Sequence, residues 1–411
     1  MENEKIKLLI VNSDLAGVGH FRSIWPAQEM IKKFGNDLHV KINMNPSLEE
    51  MKTYDIIHFH RQLGPFEKTD FIMGELKKAG VTLIVDIDDY WSPPTTHPLY
   101  HLVKQENLGE KITNVLKQAD YVTTTTDIFA KEIKKYNKNV IVIPNAIDVN
   151  HKMWQSSEEI DKGDKLRVSW IGGSSHLKDL ELLDSSISKL NNDKSVEGKY
   201  QFVLCGFDTR GHITEVNQST GEKRTRKILP HETVWNKFES IFTSKGKIID
   251  SEYENWLKTY KNENYTVSDK DLNYVRRWTL PLTQYGKHYN HCDVCLAPLA
   301  KNTFNEVKSE LKIIEAGMTK KVLIAQDFGI YKDLIKHGET GFLVNETRNH
   351  KDWYKHIKTL IENRDEVERI SNNLYEFVKD RYSLETVTKN RVEIYKNIFK
   401  EKVSKRLIET V

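Results

Sequence analysis

The stretch "SDLAGVGHFRS" (13–23) places two glycines and several polar side chains at the end of an apolar run. Gly17 and Gly19 allow the backbone to turn tightly. The N–H groups of a helix that begins there can face an anion or a sugar hydroxyl, and His20 and Arg22 add polar contacts. Because the spacing is not GxGxxG, the stretch is interpreted as a substrate loop or as a plain turn between strand and helix, not as a dinucleotide site.

Two further polar groups follow apolar runs in the same half of the chain. In "IIHFH", strand alternation puts His58 and His60 on one face, with His60 at the strand end, where a histidine is either packed or functional. In "DIDDYW", Asp86 and Asp88 share a face, and Asp89 lies on the other. Such aspartates can hold a divalent cation, take a proton from an acceptor hydroxyl, or cap the next turn and bind Lys or Arg. The spacing leaves these roles open.

The second half has a similar arrangement in "WIGGSSHLKDLELL" (170–183). An apolar run ends at Gly172 and Gly173, and hydroxyl residues beginning with Ser174 precede a helix start that contains Lys178. Backbone N–H groups together with a lysine suit a diphosphate. The stretch therefore predicts an anion-binding loop.

The stretch "FNEVKSELKIIEAG" (304–317) predicts one amphipathic helix after the strand "DVCLAPL", with Asn305 as its cap. Its apolar residues form one stripe: Val307, Leu311, Ile314 and Met318. Lys308 and Lys312 lie four residues apart on a neighbouring face, where like charges destabilise a helix by about 0.2–0.5 kcal/mol. The lysines are therefore either solvated or directed at a negative ligand, and Glu315, further along, can accept hydrogen bonds from ribose hydroxyls.

The apolar runs alternate with helical patterns, which is typical of doubly wound parallel sheets. The predicted strands of the first half are "IKLLIVNS", "HVKINM", "DIIHFH", "VTLIVDI", "YVTTTT" and "VIVIP". After a polar stretch, those of the second half are "LRVSWIGG", "YQFVLCGFD", "CDVCLAPL", "KKVLIAQ" and "GFLVNE". Helices are predicted in the 270s to 280s, at 308–318, at 329–336 and over most of the last sixty residues. Ligands of such sheets bind beyond the carboxyl ends of the strands, so we expect two α/β domains facing a cleft.

The composition agrees with a globular protein of two domains, because 411 residues exceed what one hydrophobic core usually serves. The 62 basic and 59 acidic residues give a formal net charge of +3, which argues against a dedicated nucleic-acid-binding protein. The first apolar run is too short for a signal peptide or a membrane span, and three cysteines suggest a reducing compartment. We expect a cytoplasmic protein without a transmembrane segment.

Three features have a structural interpretation beside a functional one. Cys292 and Cys295 fit a zinc site poorly, because residues three apart in a strand point to opposite faces. The polar insertion 209–270 contains "GEKRTRK", which is either a solvated loop or a contact for DNA phosphates. The basic helix at 384–411 closes its domain, crosses to the other domain, or lies on a membrane surface.

The order of these motifs resembles that of GT-B-fold glycosyltransferases of the glycosyl transferases group 1 (family 4-like) class. The segments that carry the resemblance are "GVGHFR", "IIHFH", "ADYVTTTTDIFAKEI", "VIVIPNAID", "WIGG" and the block from Cys292 to Val344, which together span nearly the whole chain except the insertion. The resemblance implies a retaining, metal-independent transferase that uses a nucleoside-diphosphate sugar and no cofactor. It also implies Rossmann-like domains, with the acceptor mainly on the first and the donor mainly on the second.

The resemblance assigns roles to particular residues. Glu315 matches the family glutamate that binds the donor ribose, Lys178 the lysine on the diphosphate, and His60 the histidine near the transferring sugar. The family often has an arginine where this chain has Gly173, so another cation is needed near the diphosphate, and Lys308 or Arg276 is expected to supply it. We therefore expect His60, Lys178 and Lys308 to be catalytic.

The chain also departs from the family at Val307, which replaces the first of two glutamates eight residues apart. Backbone N–H groups around 304–306 are expected to contact the sugar instead. The remaining expected donor contacts are Gly172, Gly173, Ser174, Arg276, Asn305, Ser309, Lys312 and Glu315. The expected contacts to the acceptor or the sugar are Gly17, Gly19, His20, Arg22 and Asp88, and no metal ligand is expected.

The predicted domains are an acceptor-side domain (1–148), a linker (149–165), a nucleotide-sugar-binding domain with the insertion (166–383) and the final helix (384–411). The acceptor is a glycan, a lipid or lipid-linked glycan, a protein or DNA, and peripheral contact with a membrane remains an option. Two other functions compete with the transferase: a nucleotide-sugar epimerase or hydrolase on the same fold, and a non-catalytic subunit that binds a glycan or nucleotide.

Overall fold

The computed structural model describes residues 5–155, 163–216, 220–244, 270 and 272–409. The chain divides into two units. Unit 1 consists of Met1–Asp148, Lys301–Glu315 and Val378–Val411, and unit 2 consists of Val149–Ala300 and Ala316–Phe377. Each unit is built on its own parallel sheet.

Unit 1 contains a six-stranded parallel sheet, and all six strands predicted for this half are confirmed. The strands are β1 (Ile6–Val11), β2 (Leu38–Ile42), β3 (Ile56–His60), β4 (Thr82–Asp86), β5 (Tyr121–Thr124) and β6 (Val140–Val142). Their order across the sheet is β2-β1-β3-β4-β5-β6. Every residue of β3 and β4 is buried, as expected when helices cover both faces of a parallel sheet.

Most helices of unit 1 connect these strands, and the last two come from later parts of the chain. The helices are Gly19–Ile24 (π-helical), Trp25–Phe34, Leu48–Met51, Phe66–Lys78, Tyr100–Gln105, Leu108–Gln118, Asp127–Ile133, Thr303–Glu306 and Leu384–Glu409. The last of them packs Val392, Tyr395 and Ile398 against Leu8 and Ile10 of β1. The C-terminal helix therefore completes the core of the first sheet.

Unit 2 contains a second six-stranded parallel sheet and a separate two-stranded hairpin. The strands are β7 (Leu166–Ile171), β8 (Tyr200–Phe207), β9 (His212–Val216), β10 (Lys223–Lys227), β11 (Tyr274–Trp278), β12 (Val294–Ala297), β13 (Val322–Gln326) and β14 (Phe342–Val344). The sheet order is β11-β8-β7-β12-β13-β14, and β9 pairs with β10 in the antiparallel direction.

The helices of unit 2 include short 3₁₀ segments. They are Leu177–Leu180, Glu181–Leu183 (3₁₀), Asp184–Asn191, Pro230–Glu232 (3₁₀), Val234–Phe242, Leu282–His291 (3₁₀), Gly329–Leu334, Glu346–Arg348 (3₁₀), Asn349–Glu362 and Arg364–Val378. The helix Leu311–Met318 contains the boundary between the two units. Within the described ranges, no helix combines the length and apolar character needed to cross a membrane.

Two predictions about the secondary structure of unit 2 were wrong. Residues 274–278 form a strand rather than part of a helix. The charged Arg276 interrupts the apolar pattern of "YVRRW" in the sequence, but in the structure this arginine is buried and paired with Glu239. The basic run expected in a loop forms β10, whose residues are exposed or half-exposed. Residues 217–219 and 245–269 of the insertion lie outside the described residues.

Candidate active site

The loop after β1 is organised by Asp14, which was not predicted as a site residue. Its carboxylate accepts the backbone N–H groups of Ala16 at 2.8 Å and Gly19 at 3.1 Å, and the hydroxyl of Ser13 at 2.8 Å. A Cβ atom at Gly19 would lie 2.0 Å from the carbonyl oxygen of Asp14, so only glycine fits there. Partial burial would raise the pKa of Asp14, but these hydrogen bonds lower it, so the carboxylate stays charged.

The other loop residues predicted from the sequence lie beside this turn. Gly17 has open space around it, with no heavy atom within 4 Å of a Cβ built there. His20 follows at the start of the π-helical segment, where Nδ1 lies 3.0 Å from the carbonyl oxygen of Ala16 and the ring meets Trp25 edge-on. Single π-helical turns occur frequently at functional sites.

His60 lies at the carboxyl end of β3, hydrogen-bonded through both ring nitrogens. Nδ1 is 2.9 Å from Ser13 Oγ, and Nε2 is 2.9 Å from Asp88 Oδ1. Burial would raise the pKa of Asp88, but the hydrogen bond from His60 and the charge of Arg61 lower it. The structure thus joins the loop after β1, the end of β3 and the segment after β4 through one polar chain, Asp14–Ser13–His60–Asp88.

Arg22, which was predicted to contact the acceptor, is buried beneath these hydrogen-bonded side chains and is 2% exposed. Nε and Nη2 donate to the two oxygens of Asp86 at 2.9 and 2.7 Å, and Nη1 donates to the carbonyl oxygen of Ile143 at 2.7 Å. Burial would raise the pKa of Asp86, but Arg22 outweighs burial and holds that pKa well below its usual range. The Arg22–Asp86 pair therefore stabilises the edge of the sheet at which His60 and Asp88 lie.

His58 belongs to the packed interior. Its Nε2 lies 2.9 Å from Thr123 Oγ1, and its ring contacts Tyr395 of the C-terminal helix edge-on. Burial lowers the pKa of His58 to about 3, so the imidazole is neutral. The two histidines of "IIHFH" thus divide into one packed residue and one at the strand end.

A second carboxylate that was not predicted, Glu310, lies against the end of β6. Its Oε1 accepts the backbone N–H of Asn145 at 2.7 Å, and Asn145 Oδ1 in turn accepts Arg22 Nη1 at 3.3 Å. Glu310 Oε2 is buried and has no hydrogen-bond partner among the described residues. Burial raises the pKa of Glu310 to about 7.

This raised pKa predicts a pH dependence of stability. Between the ordinary value of 4.5 and about 7, the folded state holds the Glu310 proton more tightly than the unfolded state. The contribution to the free energy of unfolding, on the order of 3 kcal/mol, is fully present below pH 4.5 and is lost as the pH rises through 7. Urea unfolding at pH 5 and pH 8 should show a smaller loss of stability for Glu310→Gln than for wild type. Equal losses in the two proteins would contradict the assignment.

The segment around Lys308 is not the single helix that the sequence predicted. A short helix, Thr303–Glu306, ends at Val307, and a new helix begins at Leu311. Asn302 caps the first helix by accepting the N–H of Asn305 at 2.9 Å, so the predicted cap at Asn305 was wrong by one turn. Because the helix is interrupted, Lys308 and Lys312 do not share one helical face.

The polar side chains of this segment have distinct surroundings. Lys308 Nζ lies 5.2 Å from the centre of the Phe304 ring, and its charge acts on Asp89. Lys312 Nζ donates to Glu315 Oε2 at 3.1 Å, and Glu315 is 1% exposed. Asn305 is buried and Ser309 is half-buried.

In unit 2, the loop predicted to bind an anion follows β7. Gly206 of β8 has φ +98°, and a Cβ there would lie 2.2 Å from the carbonyl oxygen of Gly172. The backbone at Gly206 and the backbone at Gly172 thus approach each other closely behind the loop. Gly173 and Ser174 are exposed. Lys178 is exposed, and its Nζ lies 2.8 Å from Glu181 Oε2.

Asp179 fixes the end of this loop. Oδ2 lies 2.7 Å from His176 Nδ1, and Oδ1 accepts the N–H of Ala300 at 2.7 Å. Since Ala300 follows β12, the buried Asp179 joins the segments after two neighbouring strands of unit 2. Asp179 was not predicted as a site residue.

Arg276, the other cation expected near a diphosphate, is buried in unit 2. Its Nη1 lies 3.0 Å from Glu239 Oε1, and its guanidinium stands 4.5 Å from the centre of the Phe207 ring. Glu239 also accepts the hydroxyl of Tyr274 at 2.9 Å. The structure therefore places Arg276 in an internal ion pair.

The two cysteines of "HCDVC" do not point apart as predicted. Cys292 precedes β12, and its Sγ lies 3.0 Å from Cys295 Sγ because the backbone is not yet regular strand at Cys292. Among the described residues, no group of three or more His, Cys, Asp or Glu side chains is arranged to hold a metal ion.

Comparison with known proteins gives both a family match and a fold match. Residues 271–377 match the family model for glycosyl transferases group 1. The crystal structure of Anabaena HepE in complex with UDP-glucose has a TM-score of 0.58 at 14% identity and covers 95% of this chain and 100% of that chain. No curated protein matches the chain in sequence.

Two further solved structures also match almost the whole chain. Sucrose-phosphate synthase of Thermosynechococcus elongatus has a TM-score of 0.58 at 14% identity and covers 97% of this chain and 100% of that chain. A putative UDP-N-acetylglucosamine 2-epimerase of Listeria monocytogenes has a TM-score of 0.53 at 11% identity, with 97% and 98% covered. At these identities the structural matches establish the fold, and the family model identifies the domain. The chain has the GT-B fold and is a glycosyltransferase that carries a glycosyl transferases group 1 domain at residues 271–377.

Proposed function

We propose that the protein is a retaining, metal-independent glycosyltransferase that moves a sugar from a nucleoside-diphosphate sugar to an acceptor hydroxyl. The observation that carries the proposal is the group 1 match over 271–377, which includes the helix with Lys312 and Glu315. The complex of HepE with UDP-glucose supports a nucleotide sugar as the donor.

The residues proposed to bind the donor follow β7 and β12. Glu315 accepts hydrogen bonds from the ribose hydroxyls, and Lys178 and Lys308 stabilise the charge that develops on the departing diphosphate, usually a large contribution to catalysis. The remaining proposed donor contacts are Gly172, Gly173, Ser174, Asn305, Ser309 and Lys312. Arg276, which was expected among them, is buried in an ion pair with Glu239, so any role of this residue toward the donor is indirect.

The transferring sugar and the acceptor are proposed to lie at the carboxyl edge of the first sheet. His60 contacts the sugar, and Asp88 accepts a hydrogen bond from the acceptor hydroxyl. Gly17, Gly19 and His20 line the loop beside them, while Arg22 acts indirectly by holding Asp86. A glycan or lipid-linked glycan is the favoured acceptor class, with DNA as an alternative that β10 would contact.

In the proposed reaction, the bond between the anomeric carbon and the diphosphate oxygen breaks, and its electron pair passes to the diphosphate. The acceptor oxygen bonds to the anomeric carbon on the same face, and its proton passes to the leaving phosphate. The lowered pKa of Asp88 makes this carboxylate a weak base, so its role is to orient the hydroxyl rather than to remove the proton.

Lys178→Ala tests the diphosphate contact. Loss of the ammonium group should lower turnover by about tenfold or more, which corresponds to at least about 1.4 kcal/mol of transition-state stabilisation. Lys194→Ala is the matched control, because Lys194 also pairs with a glutamate three residues later, at 3.2 Å from Glu197. Turnover at the wild-type rate in Lys178→Ala would remove this residue from the mechanism.

One observation keeps a non-catalytic function as the second candidate. Val307, which stands where the family has its first glutamate, is 1% exposed and packs in an apolar cluster of unit 1, so no carboxylate can act from that position. A nucleotide-binding subunit would bind a nucleoside diphosphate and show no turnover with any acceptor. An epimerase or hydrolase, by contrast, would release product from the donor alone, so assays with and without acceptor separate the three activities.

A further inference from the structure

Arg61 has a backbone conformation that arginine rarely adopts. It follows β3 directly and has φ +59°, in the left-handed region. The turn is held by the N–H of Arg61 donating to Asp86 O at 3.2 Å and the N–H of Gln62 donating to His60 O at 2.7 Å. Non-glycine residues held in this region are concentrated at ligand-binding and catalytic positions, so the backbone at Arg61 is typical of a functional position.

The Arg61 guanidinium is only loosely paired. Nη2 lies 3.5 Å from Asp88 Oδ1 and 3.8 Å from Asp89 Oδ2, whereas a strong charge-assisted hydrogen bond measures about 2.7–2.9 Å. Nε is buried and has no hydrogen-bond partner among the described residues. Arg22, by contrast, makes bonds of 2.7 and 2.9 Å to Asp86. Of these two arginines, Arg61 is therefore the one with hydrogen-bonding capacity left for a ligand.

A second cation acts on the same place from another part of the chain. Burial and the neighbouring Asp88 raise the pKa of Asp89, and the charges of Lys308 and Arg61 oppose that rise. Lys308 comes from the segment before the helix Leu311–Met318, and Arg61 from the end of β3. The half-buried Asp89 thus lies 3.8 Å from Arg61 Nη2 and within electrostatic range of Lys308.

We propose that Arg61 is a further substrate-binding residue of this transferase and that, with Lys308, it binds phosphoryl oxygens of a substrate. A planar guanidinium can engage two oxygens of a phosphate at once, which a lysine cannot. Arg61 would then supply the positive charge that an arginine often supplies in the resembling family at the position of Gly173. The inference rests on the proposed function, and the phosphoryl group belongs either to the donor diphosphate or to a phosphorylated acceptor.

Arg61→Gly separates a binding role from a structural one. Glycine adopts φ +59° without a steric penalty, so this change relieves the backbone while removing the guanidinium. Calorimetric titration of the full-length protein with UDP, GDP, ADP, CDP, inorganic pyrophosphate and glycerol 3-phosphate measures binding, and the melting temperature measures folding. Arg61→Lys tests the need for the planar group, and Arg369→Gln, which removes an exposed arginine paired with Glu366, is the control.

The expected result is a melting temperature equal to or above that of wild type, with affinity for the bound nucleotide reduced by about tenfold or more. A loss confined to glycerol 3-phosphate would also support the proposal and assign the phosphoryl group to the acceptor. Unchanged affinity for every phosphate probe would overturn it and leave the proposed function intact. If wild type binds none of the nucleoside diphosphates, the proposed function fails, and the glycerol 3-phosphate titration alone decides the role of Arg61.

Discussion

Replacing Asp86 with alanine is expected to lower the free energy of unfolding by roughly 3–5 kcal/mol. Asp86 accepts two hydrogen bonds from Arg22 and one, at 2.6 Å, from the hydroxyl of Thr123, all within the interior of unit 1. Alanine would leave the guanidinium of Arg22 buried with no compensating negative charge. Urea unfolding followed by circular dichroism measures the loss.

The control for this prediction is an arginine–aspartate pair at the surface. Asp208 binds Arg210 at 3.1 Å, but both side chains are substantially exposed, so Asp208→Ala should cost no more than about 1 kcal/mol. The double variant Asp86→Ala/Arg22→Met should recover part of the stability, because it removes the unpaired charge. Equal costs for Asp86→Ala and Asp208→Ala would show that the buried pair does not brace the sheet edge.

Replacing Glu315 with alanine is expected to reduce kcat/KM for the donor by at least about tenfold, because only a carboxylate at this position can accept both ribose hydroxyl bonds. The loss should appear mainly in binding of the nucleoside diphosphate, which titration measures directly. Glu315→Gln keeps the volume of the buried side chain and one acceptor oxygen, and it should show an intermediate loss.

A control for packing is needed, because Glu315 is buried and holds Lys312. Glu132 makes a comparable pair with Lys135 three residues later, at 2.6 Å and near the surface, so Glu132→Ala should leave donor binding unchanged. Donor affinity in Glu315→Ala equal to that in wild type would exclude the ribose contact. A loss shared with Glu132→Ala would point to a general effect of losing helix ion pairs.

The sheets could be predicted from the sequence because their strands are almost continuously apolar. Runs such as "LIVD" and "VLIAQ" are buried on both faces, and such short apolar runs between helical patterns are typical of parallel strands covered by helices. The strand Tyr274–Trp278 escaped prediction because its arginines are balanced by partners elsewhere in the fold, among them Glu239. Residue propensities and hydrophobic periodicity contain no information about such partners, which are distant in sequence.

The candidate site was predicted only at the strand ends. His60 and Asp88 could be singled out because parallel strands place their carboxyl ends at one edge, and in the structure a hydrogen bond of 2.9 Å joins the two side chains. Asp14 had a usable signal, since an aspartate before a glycine turn commonly binds nearby N–H groups. Glu310 had no such signal, because its partner Asn145 is 165 residues away in sequence. The interruption at Val307 was likewise hidden, because its burial in the core of unit 1 is a tertiary contact.

Binding of a nucleoside-diphosphate sugar without a metal ion is tested most directly by thermal stabilisation. The melting temperature of the purified protein would be measured with UDP, GDP, ADP, CDP and their common sugar conjugates, each with and without EDTA. We predict an increase with one nucleotide base that persists in EDTA and disappears in Glu315→Ala. No increase with any of these nucleotides, or one that EDTA abolishes, would contradict the proposed function.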